Sequence, residues 1–248
     1  MNYAFKTEGL TRRFSGFTAV NNVTIEIPTG GVRTIIGPNG AGKTTFFNLL
    51  SGRIPPSEGK IFFNDKDITA LQPYERARLG ISRSFQITNI FAKLTVHENV
   101  RLAVQAVHDG KANFFLPASR MGDLSVKTEQ LLHDVGLFDA RENRAENLSH
   151  GDQRRLEIAL VLARDPQVLL LDEPLAGMSP TETHETVELI KRIAPGRTVM
   201  LVEHDIDVVM AISESITVFQ SGGVLATGTP QEIRGNEAVQ RAYLGELA

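Results

Sequence analysis

The segment Gly37-Pro-Asn-Gly-Ala-Gly-Lys-Thr44 constrains this chain more than any other. It follows the apolar run Val32-Arg-Thr-Ile-Ile36 and precedes Phe46-Phe-Asn-Leu-Leu50, so the order reads strand, glycine-rich loop, helix. The spacing is that of a phosphate-binding loop, G-x-x-x-x-G-K-[ST]. A nucleoside triphosphate presents several anionic oxygens that must be held away from water. Gly37, Gly40 and Gly42 let the backbone wrap close and aim its N–H groups inward, with Pro38, Asn39 and Ala41 completing the loop. A helix opening near Lys43 adds its positive dipole end. Lys43 supplies a charge for the terminal phosphates, Thr44 a hydroxyl for Mg2+, and Thr45 continues the helix start. Such a loop predicts nucleotide binding. By itself it does not separate a kinase, a GTPase and an ATP-driven machine.

A second segment narrows the class. Val168-Leu-Leu-Leu-Asp172-Glu173 is an apolar run ending in two acids. A carboxylate at the tip of such a strand can hold Mg2+ through water, which suits Asp172. The next carboxylate, Glu173, can orient or deprotonate an attacking water. A salt-bridged or helix-capping pair is the plain alternative, and the upstream loop favours the chemical one.

The third segment, Leu148-Ser-His-Gly-Asp-Gln153, reads locally as a helix start. Ser149 is the cap, Asp152 completes a capping box, and Leu156, Ala159, Leu160 and Ala163 form the buried stripe. A capped start carrying Gly151 also presents free N–H groups to an anion.

Composition sets outer bounds. At 248 residues, with 42% hydrophobic and 22% charged residues, the chain can bury a full core as one large domain or two joined lobes. There is no cysteine, which excludes disulfides and thiolate metal sites. The start, Met1-Asn-Tyr-Ala-Phe-Lys-Thr-Glu, carries no basic-then-apolar signal pattern, and no apolar run approaches the ~20 residues of a membrane span. Direct membrane insertion is therefore not expected. A net charge of −3 with mixed signs argues against nucleic acid as the main partner.

Val20, Val23, Ile25 and Ile27 suggest an antiparallel hairpin ahead of the loop, and Lys60-Ile-Phe-Phe63 a further strand turned at Asn64-Asp65. From Pro73 to about Asn147 the pattern reads as helical, with apolar spacing over Thr95–Val107 and Leu124–Val135. Asp109–Gly122 reads as a loop, with Phe114-Phe-Leu116 as a local packing anchor. Val168–Leu171 and Thr198–Val202 are short apolar runs typical of parallel strands buried on both faces. Gly222-Gly223 joins two last strands, and Thr229-Pro230 opens terminal helices.

With these motifs in order, the chain resembles the ABC ATPase family from Leu10 to about Gly228. That family's signature has the form Leu-Ser-Gly-Gly-Gln, about twenty residues before the acidic strand tip; here Ser149 lies 23 residues before Asp172. His150 and Asp152 depart from the form. Within the family, Thr45-Phe-Phe-Asn-Leu-Leu-Ser-Gly52, Ser84-Phe-Gln86, Ala176-Gly-Met178 and Tyr243-Leu-Gly-Glu246 look like the ATPase subunits of branched-chain amino-acid importers.

The resemblance implies an α/β P-loop NTPase fold. It would comprise a RecA-like core, an antiparallel β subdomain and an inserted α-helical signature subdomain. The core lobe would comprise 1–86 and 164–228, the helical lobe 87–163, and a C-terminal helical extension 229–248. It also implies Gln86 as the lid glutamine that senses Mg2+, His204 as the switch histidine on the γ-phosphate, and Phe14 as the adenine-stacking aromatic. Core packing and Phe17 stand as alternatives to that last role. Leu175-Ala-Gly-Met-Ser179 sits where the family's D-loop lies but lacks its common form.

The cofactors implied are ATP and Mg2+. The partners implied are transmembrane permease subunits and a second ATPase, identical or different, joined head to tail. ATP at Lys43 of one subunit would then be capped by Ser149 and Gly151 of the other. The implied location is the cytoplasmic face of the cell membrane. An export ATPase of the lipopolysaccharide type and a soluble non-transport ABC ATPase remain alternatives.

Overall fold

The computed structural model describes residues 3–84, 90–108 and 118–244. The chain divides into two compact units, one spanning Met1–Ile81, Gln167–Pro174 and Ala194–Ala248, the other Ser82–Pro166 and Leu175–Ile193.

The first unit holds two sheets. Along the chain come β1 (Tyr3–Phe14), β2 (Phe17–Pro28), β3 (Gly31–Ile36), α1 (Lys43–Leu50), β4 (Glu58–Phe63), β5 (Lys66–Asp67), α2 (Pro73–Arg78) and β6 (Ile81–Arg83). The expected hairpin is β1–β2, paired antiparallel, and β4 pairs antiparallel on the other side of β1, giving the order β2-β1-β4-β5. Asn64 and Asp65, both at positive φ, make the tight turn into β5.

After the helical residues of the other unit, the chain returns through β7 (Val168–Asp172), β8 (Thr198–Val202), α7 (Ile206–Ile212), β9 (Ser215–Gln220), β10 (Gly223–Gly228), α8 (Pro230–Arg234) and α9 (Glu237–Val239). The second sheet runs β10-β9-β3-β8-β7-β6, with β9, β3, β8 and β7 mutually parallel. Every residue of β7 and β8 is buried, as expected for strands covered on both faces.

Helix α1 lies in a core shared by both sheets. Phe46, Phe47, Leu49 and Leu50 belong to one buried cluster with Phe5, Val20 and Ile61 from the antiparallel sheet and Leu170, Met200 and Phe219 from the parallel one. A smaller cluster joins Ile36, Ile216 and Val218 to Val209, Ile233 and Val239 of the later helices.

The second unit is helical: α3 (Val96–His108), α4 (Ala118–Asp134), α5 (His150–Leu162) and α6 (Pro180–Ile193). Helix α3 packs on α4 and α5, and α6 packs on α4 and α5. Asn99 is fully buried there. Its side-chain oxygen accepts from the Phe91 N–H at 2.8 Å, and its amide donates to the carbonyls of Phe91 at 3.1 Å and Thr95 at 2.9 Å, tying the entry of α3 to its own first turn.

Three local expectations change. The stretch from Pro73 to Asn147 is not wholly helical, because Ile81–Arg83 joins the edge of the parallel sheet. Three residues are too few to show a period, and the pairing comes from a strand distant in sequence. Helix α4 begins at Ala118, so Gly122 lies inside a helix rather than a loop. A lone glycine costs about 1 kcal/mol in a helix, a penalty that burial of Leu124, Leu131 and Leu132 outweighs. Residues 109–117, with Phe114-Phe-Leu116, lie outside the described residues. In α5, Leu160 is only half-buried, while Ile158 and Leu162 are buried beside Leu156, Ala159 and Ala163.

Candidate functional site

The parallel sheet's register assembles the candidate site. Ile35 of β3 pairs with Val202 of β8, and Val202 pairs with Asp172 of β7. Residues that follow these three therefore leave the sheet at one edge, the carboxyl ends of the strands, where ligands bind in open α/β sheets. Gly37 begins the loop there, and Glu173 and His204 come just after their strands.

Two of the loop's glycines, Gly37 and Gly42, are required by their surroundings. A Cβ on Gly37 would stand 2.2 Å from the Phe219 carbonyl oxygen, and one on Gly42 would stand 2.3 Å from the Ala19 carbonyl oxygen. Gly42 also has φ 101° and caps α1 without a side chain. The first turn of α1 therefore keeps backbone N–H groups directed out of the helix end. The Gly222 N–H donates to the Ala41 carbonyl at 3.0 Å, fixing the loop against the β9–β10 turn.

Lys43 reaches back over the loop it follows. Its ammonium donates to the carbonyls of Gly37 at 2.6 Å and Pro38 at 3.0 Å. Burial pushes this ammonium below its ordinary pKa, while the charges of Glu173 and then Asp172 push it back up. Those influences bring the cation and the two acids into one electrostatic neighbourhood. Thr44 and Thr45 follow in the first turn of α1, both half-buried.

Asp172 is buried at the last position of β7. Glu173 follows with φ 48°, and its N–H donates to the Val202 carbonyl at 2.9 Å. A non-glycine residue held in the left-handed region stores about 1–3 kcal/mol of strain and persists only where its surroundings impose it. Here the bond to β8 imposes it. His204 is well exposed, and its backbone N–H donates to the Glu203 carboxylate at 3.3 Å.

Phe14 and Phe17 stack at 5.4 Å between ring centroids, with the Arg12 guanidinium over Phe14 at 4.7 Å. Both rings are exposed, so Phe14 is not a core residue. Gln86 lies outside the described residues.

In the helical unit, the Ser149 hydroxyl accepts from the Asp152 N–H at 3.1 Å. The reciprocal half of the expected box is absent: the Asp152 carboxylate pairs with Arg155, which also meets Glu185 at 3.3 Å. An arginine three residues on in the same helix draws the acid away from the cap. The Gly151 N–H does have an anionic partner. It donates to Glu182 Oε1 at 3.0 Å, while Glu182 Oε2 accepts from the Ser179 N–H at 3.0 Å and hydroxyl at 2.8 Å. Sequence reasoning missed Glu182, although Ser179-Pro-Thr-Glu182 carries the capping-box spacing that would have drawn attention to it.

The glycine cradle, the folded-back lysine and the open helix start fit a triphosphate. Among the described residues no group of three or more His, Asp or Glu side chains could hold a metal ion. Asp172 and the Thr44 hydroxyl are hard oxygen donors of the kind Mg2+ on phosphate takes, one or two from protein with water completing the set.

The whole chain has relatives of matching length. It is 43% identical over 245 residues, 96% of each chain, to a high-affinity branched-chain amino acid transport ATP-binding protein, LivG, of Salmonella typhimurium. It is 40% identical to BraF of Pseudomonas aeruginosa over 97% of each chain, and 34% identical to the lipopolysaccharide export ATP-binding protein LptB of Acidithiobacillus ferridurans over 99% of this chain and 98% of that one. A crystal structure of an ATP-binding cassette of an ABC transporter in its ADP conformation superposes with a TM-score of 0.85 at 28% identity, covering 99% of both chains. A model of the branched-chain amino acid ATP-binding cassette transporter family matches residues 224–248, and the ABC transporter model matches residues 20–176, the stretch running from β2 through the phosphate loop and signature helix to the two acids at the end of β7. The chain belongs to the ABC transporter ATP-binding family and has the α/β P-loop fold of its ATPases.

Proposed function

We propose that this chain is the ATP-hydrolysing subunit of an importer for branched-chain amino acids or related small solutes, working at the cytoplasmic face of the cell membrane. One observation carries the hydrolytic reading: the β3–β8–β7 register brings the phosphate loop, Glu173 and His204 to a single sheet edge. The solute class is supported by the LivG and BraF likenesses and by the match over residues 224–248. The export reading has the weaker support of 34% identity to LptB.

In this reading the N–H groups of the loop and of the first turn of α1 hold the β- and γ-phosphates, and the Lys43 ammonium exchanges its carbonyl partners for phosphate oxygen. Glu173 accepts a proton from water as the water oxygen bonds to the γ-phosphorus; the bond to the β-bridging oxygen breaks, and ADP and phosphate leave. Its left-handed backbone conformation sets the direction in which the side chain leaves the end of β7. His204 donates to a γ-phosphate oxygen as charge develops there. Thr44, Asp172 and Gln86 would hold Mg2+, which supplies charge neutralisation on the phosphate oxygens when bound. Phe14 would stack on the adenine.

Ser149 and Gly151 would cap the γ-phosphate held by a second ATPase subunit, so that ATP joins two chains head to tail and hydrolysis releases them. Paired permeases would take up that motion. Among the described residues no helix is long and apolar enough to cross a membrane, which accords with docking onto such permeases.

The test is Glu173→Gln. ATP should still bind while steady-state hydrolysis falls about 100-fold or more, the usual worth of a general base. Undiminished turnover would remove Glu173 from its role. Uptake of labelled leucine by vesicles carrying the complete transporter tests the solute class, and failure to take up any branched-chain amino acid rejects it.

A further inference from the structure

The structure places an internal carboxylate on the same N–H that the proposed function assigns to phosphate. Glu182 is the third residue of α6, and with Ser179 it forms a reciprocal cap: the Glu182 N–H donates to the Ser179 hydroxyl at 3.4 Å, and Oε2 accepts from Ser179. A cap of this kind needs one carboxylate oxygen. The second, Oε1, reaches 31 residues back to the Gly151 N–H at the start of α5.

We propose that Glu182 is an intramolecular stand-in for phosphate on the signature helix, and that ATP held by a second subunit must displace it for the two chains to close. This rests on the head-to-tail reading above. An N–H already donating to a carboxylate cannot serve a phosphate oxygen at full strength, and two anions at one helix start repel. The competitor is charged at neutral pH, because the Ser179 N–H, the Ser179 hydroxyl and then the Gly151 N–H hold the Glu182 carboxyl down at about 2. Displacement need not undo the α6 cap, since Oε2 keeps its own partners. Glu182 therefore acts as a positioning residue that raises the ATP requirement for closure and holds the 175–179 loop to the signature until ATP arrives.

The experiment uses the Glu173→Gln protein, alone and with its partner ATPase, and follows Mg2+–ATP-driven dimerisation by sedimentation velocity. Adding Glu182→Gln keeps one oxygen for the cap and removes the charge. It should lower the ATP concentration for half-maximal dimerisation about threefold or more, in line with the worth of an anion at a helix start. Affinity for ATP under dilute, monomeric conditions should stay unchanged. Glu182→Ala removes the competitor entirely and should shift dimerisation in the same direction even though it lowers the melting temperature. A purely structural cap predicts the reverse: weaker dimers in step with lost stability. Unchanged or weaker dimerisation in both variants overturns the inference alone. A Glu173→Gln parent that stays monomeric under both conditions overturns the head-to-tail reading and this inference with it.

Discussion

At the scale of single residues, backbone conformation and close approach decide most of the site. Gly42 has φ 101° and a carbonyl oxygen 2.3 Å from where a Cβ would be. Gly42→Ala should cost about 1–3 kcal/mol of stability and lose nucleotide affinity, because the loop must move to admit the methyl group; a melting scan and an ATP titration read both. Lys43→Ala should weaken ATP binding about tenfold or more, the worth of charge-assisted bonds to phosphate. Retained affinity in that variant speaks against the loop as the phosphate site. His204→Ala should slow hydrolysis much more than binding; the opposite pattern in single-turnover kinetics makes His204 a binding group only.

At the scale of elements, helix ends carry the argument. Arg76 of α2 is fully buried and donates to the carbonyls of Leu49 at 2.6 Å and Leu50 at 2.9 Å, the last residues of α1, as well as Leu71 and Thr69 at 3.1 Å. It ties down the far end of the helix whose near end forms the phosphate loop. Arg76→Ala should strand several buried carbonyls and cost about 3 kcal/mol or more, a fall of roughly 6–12 °C in Tm for a chain this size.

The cap of α6 adds a pH dependence. Glu182 is depressed from 4.5 to about 2, so its stabilising effect is complete above its unfolded value and fades as pH falls toward 2. The Tm difference between wild type and Glu182→Gln should hold steady from pH 8 to 5 and shrink below about pH 4. A difference that persists unchanged at pH 3 removes the charged cap from the account.

At the scale of the whole molecule, the proposed cycle depends on a second chain, whose signature would cap the phosphate held on this one. Glu173→Gln with Mg2+–ATP should sediment as a dimer, alone or with a partner ATPase, and should return to monomers when ATP is removed. Detergent extraction of membranes should recover this chain with permease subunits, and recovery with soluble proteins alone rejects the transport reading.

Short-range spacing determined much of this protein in advance. The phosphate loop, the acidic tip of β7, the capped start of α5 and the parallel strands all depend on residues within a few positions of one another, so their chemistry is legible along the chain. Other features come from groups far apart in sequence: the three-residue strand β6, the burial of Arg76 against the end of α1, and the reach of Glu182 to Gly151. These were decided only when packing brought distant donors and acceptors together, because a buried polar group takes whatever partner the fold supplies, and no local pattern specifies which one that is.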